Sequence, residues 1–184
     1  KLPDRPISPL REELQKHGAF FSEEKLPLTL SGPLRGGVYQ LPGNVSSQYV
    51  SGLLMALPLL DADSEIQLTS PLESADYVRM TLDTLSQFGI QIVNTSTGRY
   101  RIPGVQQFRS PGTLEVEGDW SSAAFFLAAG ALGAEVAVTG ISETSAQPDR
   151  KVLDSLKAFG CEIRNDKGSR RKYERNDLIG SASP

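Results

Sequence analysis

Three segments of the chain repeat one pattern of apolar and polar positions. In each segment apolar residues recur every three or four positions, as on one face of a helix, and the pattern ends at a glycine before a short strand-like run. These glycines, Gly18, Gly89 and Gly160, are evenly spaced along the chain. We expect each of them to adopt the left-handed conformation that ends a helix. The three segments are Leu10–Phe21, Leu82–Val93 and Leu153–Arg164.

A second motif, Gly-x-x-Ser-Ser, repeats in step with the first. It occurs at Gly43–Ser47 and again at Gly118–Ser122, each time before an apolar run of helical length. Two motifs that repeat together predict an α/β (α+β) protein built from similar units. One unit has the order βαβαββ, and its predicted elements are Tyr39–Leu41, Ser46–Leu59, Glu65–Thr69, Ala75–Phe88, Ile90–Asn94 and Arg99–Ile102.

The first helix of this unit is apolar nearly all round, so it needs cover on every side. We therefore expect several units to pack with these helices inward and their sheets outward. An unrelated α/β sandwich is the alternative. The apolar positions of the helix are Val50, Leu53, Leu54, Ala56, Leu57 and Leu60.

The candidate chemistry lies where the predicted helices begin. Ser46, Ser47 and Gln48 place two hydroxyls and an amide beside the unpaired N–H groups at the positive end of a helix. This arrangement suits a phosphate or a carboxylate. Plain N-capping by serine is the alternative interpretation. Ser74 and Tyr77 form a similar group at the start of the next helix.

Arg5 is a third candidate, because it lies on a proline-rich segment where a guanidinium group can bind a phosphate or carboxylate through two hydrogen bonds. A surface ion pair with Asp4 explains it equally well.

A single cysteine, Cys161, excludes an internal disulfide and a cysteine metal cluster, and His17 is the one histidine available to a catalytic triad. We predict no triad and no metal cluster.

Charge and hydropathy narrow the function classes further. The net charge of −3 argues against a nucleic-acid-binding protein, and we interpret the basic run Arg164–Arg175 as a solvated tail. No apolar run reaches the ~18 residues that a membrane span needs. The first residues, Lys1–Pro3, include no initiator methionine and have no signal-peptide character. We therefore expect a cytoplasmic protein that lacks its amino-terminal part.

Several motifs, taken in order, resemble the 5-enolpyruvylshikimate-3-phosphate synthase family. The resemblance runs from about Arg5 to Arg164, and its motifs are Leu41–Tyr49, Ser51–Ala56, Leu72–Tyr77, Arg109–Gly112 and Val116–Ala123. It implies a two-domain enzyme, monomeric when complete, in which each domain is an inside-out α/β barrel of three βαβαββ units.

The resemblance also implies an activity and a set of site residues. The family transfers the enolpyruvyl group of phosphoenolpyruvate to the 5-hydroxyl of shikimate-3-phosphate, without a metal or organic cofactor. By similarity, Ser46 and Ser47 hold the phosphate of shikimate-3-phosphate, with help from Ser74, and Tyr77 makes a further contact. Gln48 lies between the two substrates. Arg5 matches an arginine that binds phosphoenolpyruvate, where glyphosate also binds.

The chain departs from the family pattern at both ends. The family's amino-terminal lysine and glycine-rich loop are expected before Lys1, and its proton-transfer groups after the present end, so we expect a fragment that is inactive alone. We assign residues 1–116 to the first domain, about one and a half units, and residues 117–167 to the start of the second. Residues 168–184 are left as an unmatched polar tail.

Two other functions remain open at this point. The sister transferase that acts on UDP-N-acetylglucosamine has the same repeats, but it uses a catalytic cysteine on a loop, and Cys161 lies in the wrong context for that role. A non-catalytic anion-binding module is the second alternative.

Overall fold

The computed structural model describes residues 7–134, 136–166 and 177–181, without the side chains of 164–166 and 177–181. The chain divides into two compact units, Lys1–Gly112 and Thr113–Pro184, which we describe separately. Among the described residues, no helix is long and apolar enough to cross a membrane.

The first unit alternates helices and strands. Its elements are α1 (Leu10–Lys16), β1 (Phe20–Phe21), β2 (Leu30–Ser31), β3 (Val38–Leu41), α2 (Ser47–Ala56), a 3₁₀ turn (Leu57–Leu59), β4 (Ser64–Leu68), α3 (Ala75–Gln87), β5 (Val93–Ser96) and β6 (Arg99–Ile102). From β3 to β6 this is the predicted βαβαββ order.

Four of these strands form one sheet in the order β3-β4-β6-β5, and β3 and β4 are parallel. In β3 and β6 buried and exposed residues alternate, so one face of the sheet lies against α2 and α3. The carboxyl ends of β3 and β4 therefore lie side by side, and each leads through a loop to a helix start. The core comprises Tyr39, Leu41, Val50, Leu53, Leu54, Leu57, Ile66, Val78, Leu85, Ile90, Tyr100 and Ile102.

Side chains of α1 and of its C-cap residue, His17, cover the free edge of β3. Oε1 of the buried Glu13 accepts the backbone N–H of Gln40 at 2.8 Å. The ring of His17 stacks on Tyr39 with 3.7 Å between centroids, and its Nε2 lies 3.1 Å from the Val38 carbonyl, to which it donates in the Nε2-protonated tautomer. These groups hydrogen-bond backbone atoms as a further strand would, so they protect an edge that is otherwise open to pairing.

The second unit has a smaller core. It contains α4 (Trp120–Ala131), β7 (Val136–Val138), a 3₁₀ turn (Pro148–Lys151), α5 (Val152–Ala158), β8 (Glu162–Asp166) and β9 (Asp177–Ser181). The strands form an antiparallel sheet in the order β7-β9-β8. The core residues are Trp120, Ala123, Leu127, Ile141, Leu153 and Leu156.

The three repeated glycines have the predicted conformation. Gly18, Gly89 and Gly160 have φ angles of 100°, 79° and 86°, and they follow α1, α3 and α5. In each case the next residue donates its N–H to a carbonyl in the last turn of the helix, as the Ile90 N–H does to Leu85. This prediction is confirmed.

Three predicted element bounds need correction. The α-helix of α2 stops at Ala56 and continues as a 3₁₀ turn, because Pro58 has no N–H for a helical hydrogen bond. The strand expected at Ile90–Asn94 begins only at Val93, since the Ile90 N–H is used to close α3. Residues 177–181, expected in a polar tail, form β9, the central strand of its sheet. No local sequence pattern predicts this backbone pairing.

Candidate anion-binding site

The first half of the candidate site is the start of α2. Ser46 is the N-cap residue, and its Oγ accepts the N–H of Gln48 at 3.2 Å. The capping interpretation is therefore correct for Ser46, although its hydroxyl proton can still be donated to a ligand. The first turn of the helix carries no acidic residue, so the helix itself supplies no carboxylate to neutralise its positive end.

The second half is the start of α3, where Ser74 lies in the left-handed region with φ 57° and ψ 43°. This conformation is unfavourable for a residue with a β-carbon, and such strain occurs preferentially at functional positions. The Ser74 hydroxyl makes no cap hydrogen bond to α3. The strained backbone is therefore not explained by helix capping.

One cavity of about 800 Å³ lies between the two helices. Ser47 and Gln48 line it from α2, and Ser74 and Tyr77 line it from the α3 side. Four of the predicted site residues thus line one cavity, and Ser46 directly precedes Ser47 in the chain. Arg5, the fifth position predicted, lies outside the described residues. Among those that are described, no three His, Cys, Asp or Glu side chains are grouped closely enough to hold a metal ion.

Two residues that the sequence did not single out line this cavity and join the two helices. The hydroxyls of Ser51 and Thr81 are hydrogen-bonded at 2.8 Å, and the Thr81 hydroxyl also lies 3.0 Å from the carbonyl of Tyr77. Each residue lies one helical turn beyond a candidate residue, Ser47 or Tyr77. That spacing is the signal that could have identified them.

The loop before α2 leaves no room for a side chain at Gly43. A β-carbon there would lie 2.6 Å from the carbonyl oxygen of Ser70 and 2.8 Å from that of Pro71. Gly43→Ala is therefore expected to lower the free energy of unfolding by roughly 1–3 kcal/mol, as measured by urea denaturation.

The control for this substitution is Gly52→Ala in the middle of α2, where an added β-carbon meets no atom within 4 Å. Alanine is the better helix former, so this variant should be more stable by roughly 0.5–1 kcal/mol. Equal effects of the two substitutions would contradict the steric explanation.

The second Gly-x-x-Ser-Ser motif has a different geometry. Here α4 begins at Trp120, and the N-cap residue is Asp119, whose carboxylate accepts the N–H groups of Ser121 at 3.0 Å and Ser122 at 3.1 Å. Hydrogen bonds from the Ser122 hydroxyl and the Ser121 N–H hold the pKa of Asp119 below its usual range. This helix start is already occupied by a negative charge from the chain itself, so it does not offer a second anion site.

Comparison with known proteins decides the family. The family model for EPSP synthase (3-phosphoshikimate 1-carboxyvinyltransferase) matches residues 1–181. The chain belongs to the EPSP synthase family. The match continues through β9, so it includes most of the segment that the sequence analysis left unmatched.

Curated relatives carry the same name as the family. The 3-phosphoshikimate 1-carboxyvinyltransferase of Clostridium perfringens is 37% identical over 182 residues, and that of Clostridium kluyveri is 41% identical over 165 residues. These alignments cover 98% and 89% of this chain but only 43% and 38% of the relatives. The chain thus spans about two fifths of the length of the EPSP synthases that it matches.

A solved structure supports the fold. The EPSP synthase from Acinetobacter baumannii superimposes with a TM-score of 0.68 at 23% identity, over 98% of this chain and 40% of that one. The arrangement of helices and mixed sheets described above is therefore the α/β arrangement of this family.

Proposed function

We propose that this chain forms the shikimate-3-phosphate-binding part of a 3-phosphoshikimate 1-carboxyvinyltransferase. The observation that carries the proposal is the single cavity between two helix starts, lined by Ser47, Gln48, Ser74 and Tyr77. In the proposed reaction the enolpyruvyl group passes from phosphoenolpyruvate to the 5-hydroxyl of shikimate-3-phosphate, and inorganic phosphate is released.

The chemistry of the cavity suits a phosphate ester of a polar ring. The serine hydroxyls and the first N–H groups of α2 donate to phosphate oxygens, and the helix dipole favours the negative charge. The Gln48 amide both donates and accepts, so it can contact a hydroxyl of the sugar acid as well as a second anion. Tyr77, which is 41% exposed, offers a ring and a hydroxyl to the remaining face of the ligand.

The assignment of Arg5 to phosphoenolpyruvate also belongs to this proposal. So does the larger architecture, in which the units complete inside-out α/β barrels with α2 and α4 facing inward. In support, Met55 on α2 and Phe125 and Phe126 on α4 are large apolar side chains exposed to solvent within their own units. We place the change from the first to the second domain between residues 116 and 117.

The alternative activity, enolpyruvyl transfer to UDP-N-acetylglucosamine, requires a catalytic cysteine on a loop, and the position of Cys161 does not support it. Cys161 is half-buried against the core of the second unit, directly after the helix end at Gly160, and does not lie on an exposed loop. A thiol packed in this way is a small hydrophobic group rather than a nucleophile.

Two substitutions separate ligand binding from helix capping. Ser46→Asp keeps a good N-cap but places a carboxylate where the phosphate would bind, and Ser47→Ala removes one donor. In a ³¹P NMR titration with shikimate-3-phosphate, we expect Ser46→Asp to abolish binding and Ser47→Ala to weaken it ~10-fold, which is about 1.4 kcal/mol. Urea denaturation should show little change in stability for either variant.

The matched control for Ser47→Ala is Ser122→Ala, which removes the equivalent serine from the start of α4. It should bind shikimate-3-phosphate as the unchanged chain does. The proposal is contradicted if the unchanged chain leaves the ³¹P signal unaffected at millimolar ligand. It is also contradicted if Ser46→Asp binds as well as the unchanged chain, because the serines would then serve only to cap the helix.

A further inference from the structure

The two loops that lead to the candidate site are joined by one side chain. Ser70 follows β4, and its Oγ accepts the N–H of Gly43 at 3.0 Å in the loop that follows β3. The same hydroxyl donates to Oδ1 of Asn44 at 2.9 Å. A single hydroxyl thus contacts the loop before α2 twice, although Ser70 belongs to the loop before α3.

The surrounding contacts leave little freedom between these loops. The N–H of Thr69 donates to the carbonyl of Leu41 at 2.9 Å, and the N–H of Glu73 donates to the carbonyl of Gly43 at 3.0 Å. These are backbone hydrogen bonds, which side-chain substitutions leave in place. The Ser70 hydroxyl adds side-chain hydrogen bonds to Gly43 and Asn44 in the same region, and these are the ones that a substitution can remove.

We infer that Ser70 is a positioning residue for the binding of a phosphate ester in the cavity. The inference rests on the proposed function, because it requires that Ser46 and Ser47 on one loop and Ser74 on the other bind the same phosphate group. Hydrogen bonds to phosphate tolerate only a few tenths of an ångström in length before they weaken. The distance between the two loops therefore determines whether both sets of serines can donate at once.

A hydroxyl is the group that this position requires. It accepts from the Gly43 N–H and at the same time donates to the Asn44 amide oxygen, which neither a methyl group nor a carboxylate does. Asn44 is exposed, so water can replace the lost partner in Ser70→Ala. We therefore expect that variant to fold with a loosened connection between the loops.

The test compares Ser70→Ala and Ser70→Thr in ³¹P NMR titrations with shikimate-3-phosphate. Ser70→Ala should raise the Kd ~10-fold, and Ser70→Thr, which keeps the hydroxyl, should restore most of the affinity. The control is Ser22→Ala, which removes a similar serine contact, from Oγ to the N–H of Thr29 at 2.9 Å, in the turn between β1 and β2. It should leave the Kd unchanged.

A double-mutant cycle distinguishes positioning from general loosening of the fold. Ser74→Gly removes the second hydroxyl and relieves the left-handed backbone, so the spacing of the loops should then matter less. In that background Ser70→Ala should change the Kd by less than about twofold. An equal effect in both backgrounds would overturn the inference, as would wild-type affinity for Ser70→Ala. If the unchanged chain binds no shikimate-3-phosphate, the proposed function itself fails.

Discussion

Trp120→Ala is expected to lower the free energy of unfolding of the second unit by roughly 3–5 kcal/mol, because it leaves a cavity where an aromatic residue is fully buried. The ring packs in the core of residues 113–184, and its Nε1–H donates to the carbonyl of Ser142 at 3.0 Å. The substitution therefore removes apolar contacts and leaves the Ser142 carbonyl without its donor. Urea denaturation followed by circular dichroism measures the effect, since the chain has one tryptophan and loses its fluorescent probe.

Phe125→Ala is the matched control for this prediction. Phe125 lies on the same helix, α4, but its side chain is 80% exposed. Its loss should change the free energy of unfolding by no more than about 0.5 kcal/mol. A loss of stability as large as that of Trp120→Ala would show that the exposed face of α4 is covered by contacts that the structure does not contain.

Much of the fold follows from local patterns in the sequence. A glycine after a helix has few ways to continue the chain, so the positions of Gly18, Gly89 and Gly160 predicted three helix ends with their left-handed turns. The spacing of apolar residues is also a local property of the sequence, and it predicted the βαβαββ order of the first unit. Strand β9 was missed because its place in the sheet depends on backbone partners in β7 and β8 rather than on its own residues.

The two Gly-x-x-Ser-Ser motifs show where such reasoning stops. The same sequence motif begins the two helices differently: Ser46 is the N-cap residue of α2, but Asp119 is the N-cap residue of α4. Aspartate is as good a cap as serine, so the second helix begins two residues earlier relative to the motif. The first helix start remains available to an anion, and the second is filled by its own carboxylate. The repeat is therefore structural, and only one copy has the features of a ligand site.

Contacts that join distant segments were not predictable from pattern. The Gln40 N–H donates to Glu13 and the Gly43 N–H donates to Ser70, and in each pair the residues are 27 positions apart. Nothing in the sequence near Glu13 indicates that this carboxylate is buried, because the charged residues around it suggest a solvated helix face. Glu13 is buried because the unpaired backbone groups at the edge of β3 need hydrogen-bond partners, and its carboxylate accepts one of them.

Glu13→Leu should therefore be costly, although it adds apolar surface to a buried position. The Glu13 side chain is 4% exposed, and it accepts the N–H of Gln40 and the ammonium group of Lys16, each at 2.8 Å. Removal of the carboxylate leaves the backbone N–H of Gln40 unsatisfied at the edge of the sheet. We expect the free energy of unfolding at pH 7 to fall by roughly 1–3 kcal/mol, measured by urea denaturation.

The same residue should make stability depend on pH. Burial alone would raise the pKa of Glu13, but the hydrogen bonds from Lys16 and Gln40 and the charges of Lys16 and His17 lower it below its ordinary value of 4.5. A carboxyl group with a lowered pKa in the folded state stabilises the protein above its unfolded pKa, and this contribution is lost as the pH falls through the folded value. Stability relative to Glu13→Gln should therefore be constant above pH 4.5 and shrink below it.

Glu12→Gln is the control, because Glu12 lies on the same helix with its side chain 45% exposed. Its stability should follow that of the unchanged chain at every pH, since an exposed carboxylate contributes little to folding. If Glu12→Gln and Glu13→Gln show the same dependence on pH, the acid sensitivity comes from the general charge of α1. A difference confined to Glu13→Gln would assign it to the carboxylate that closes the edge of β3, and would link the docking of α1 to the strand that leads into the candidate site.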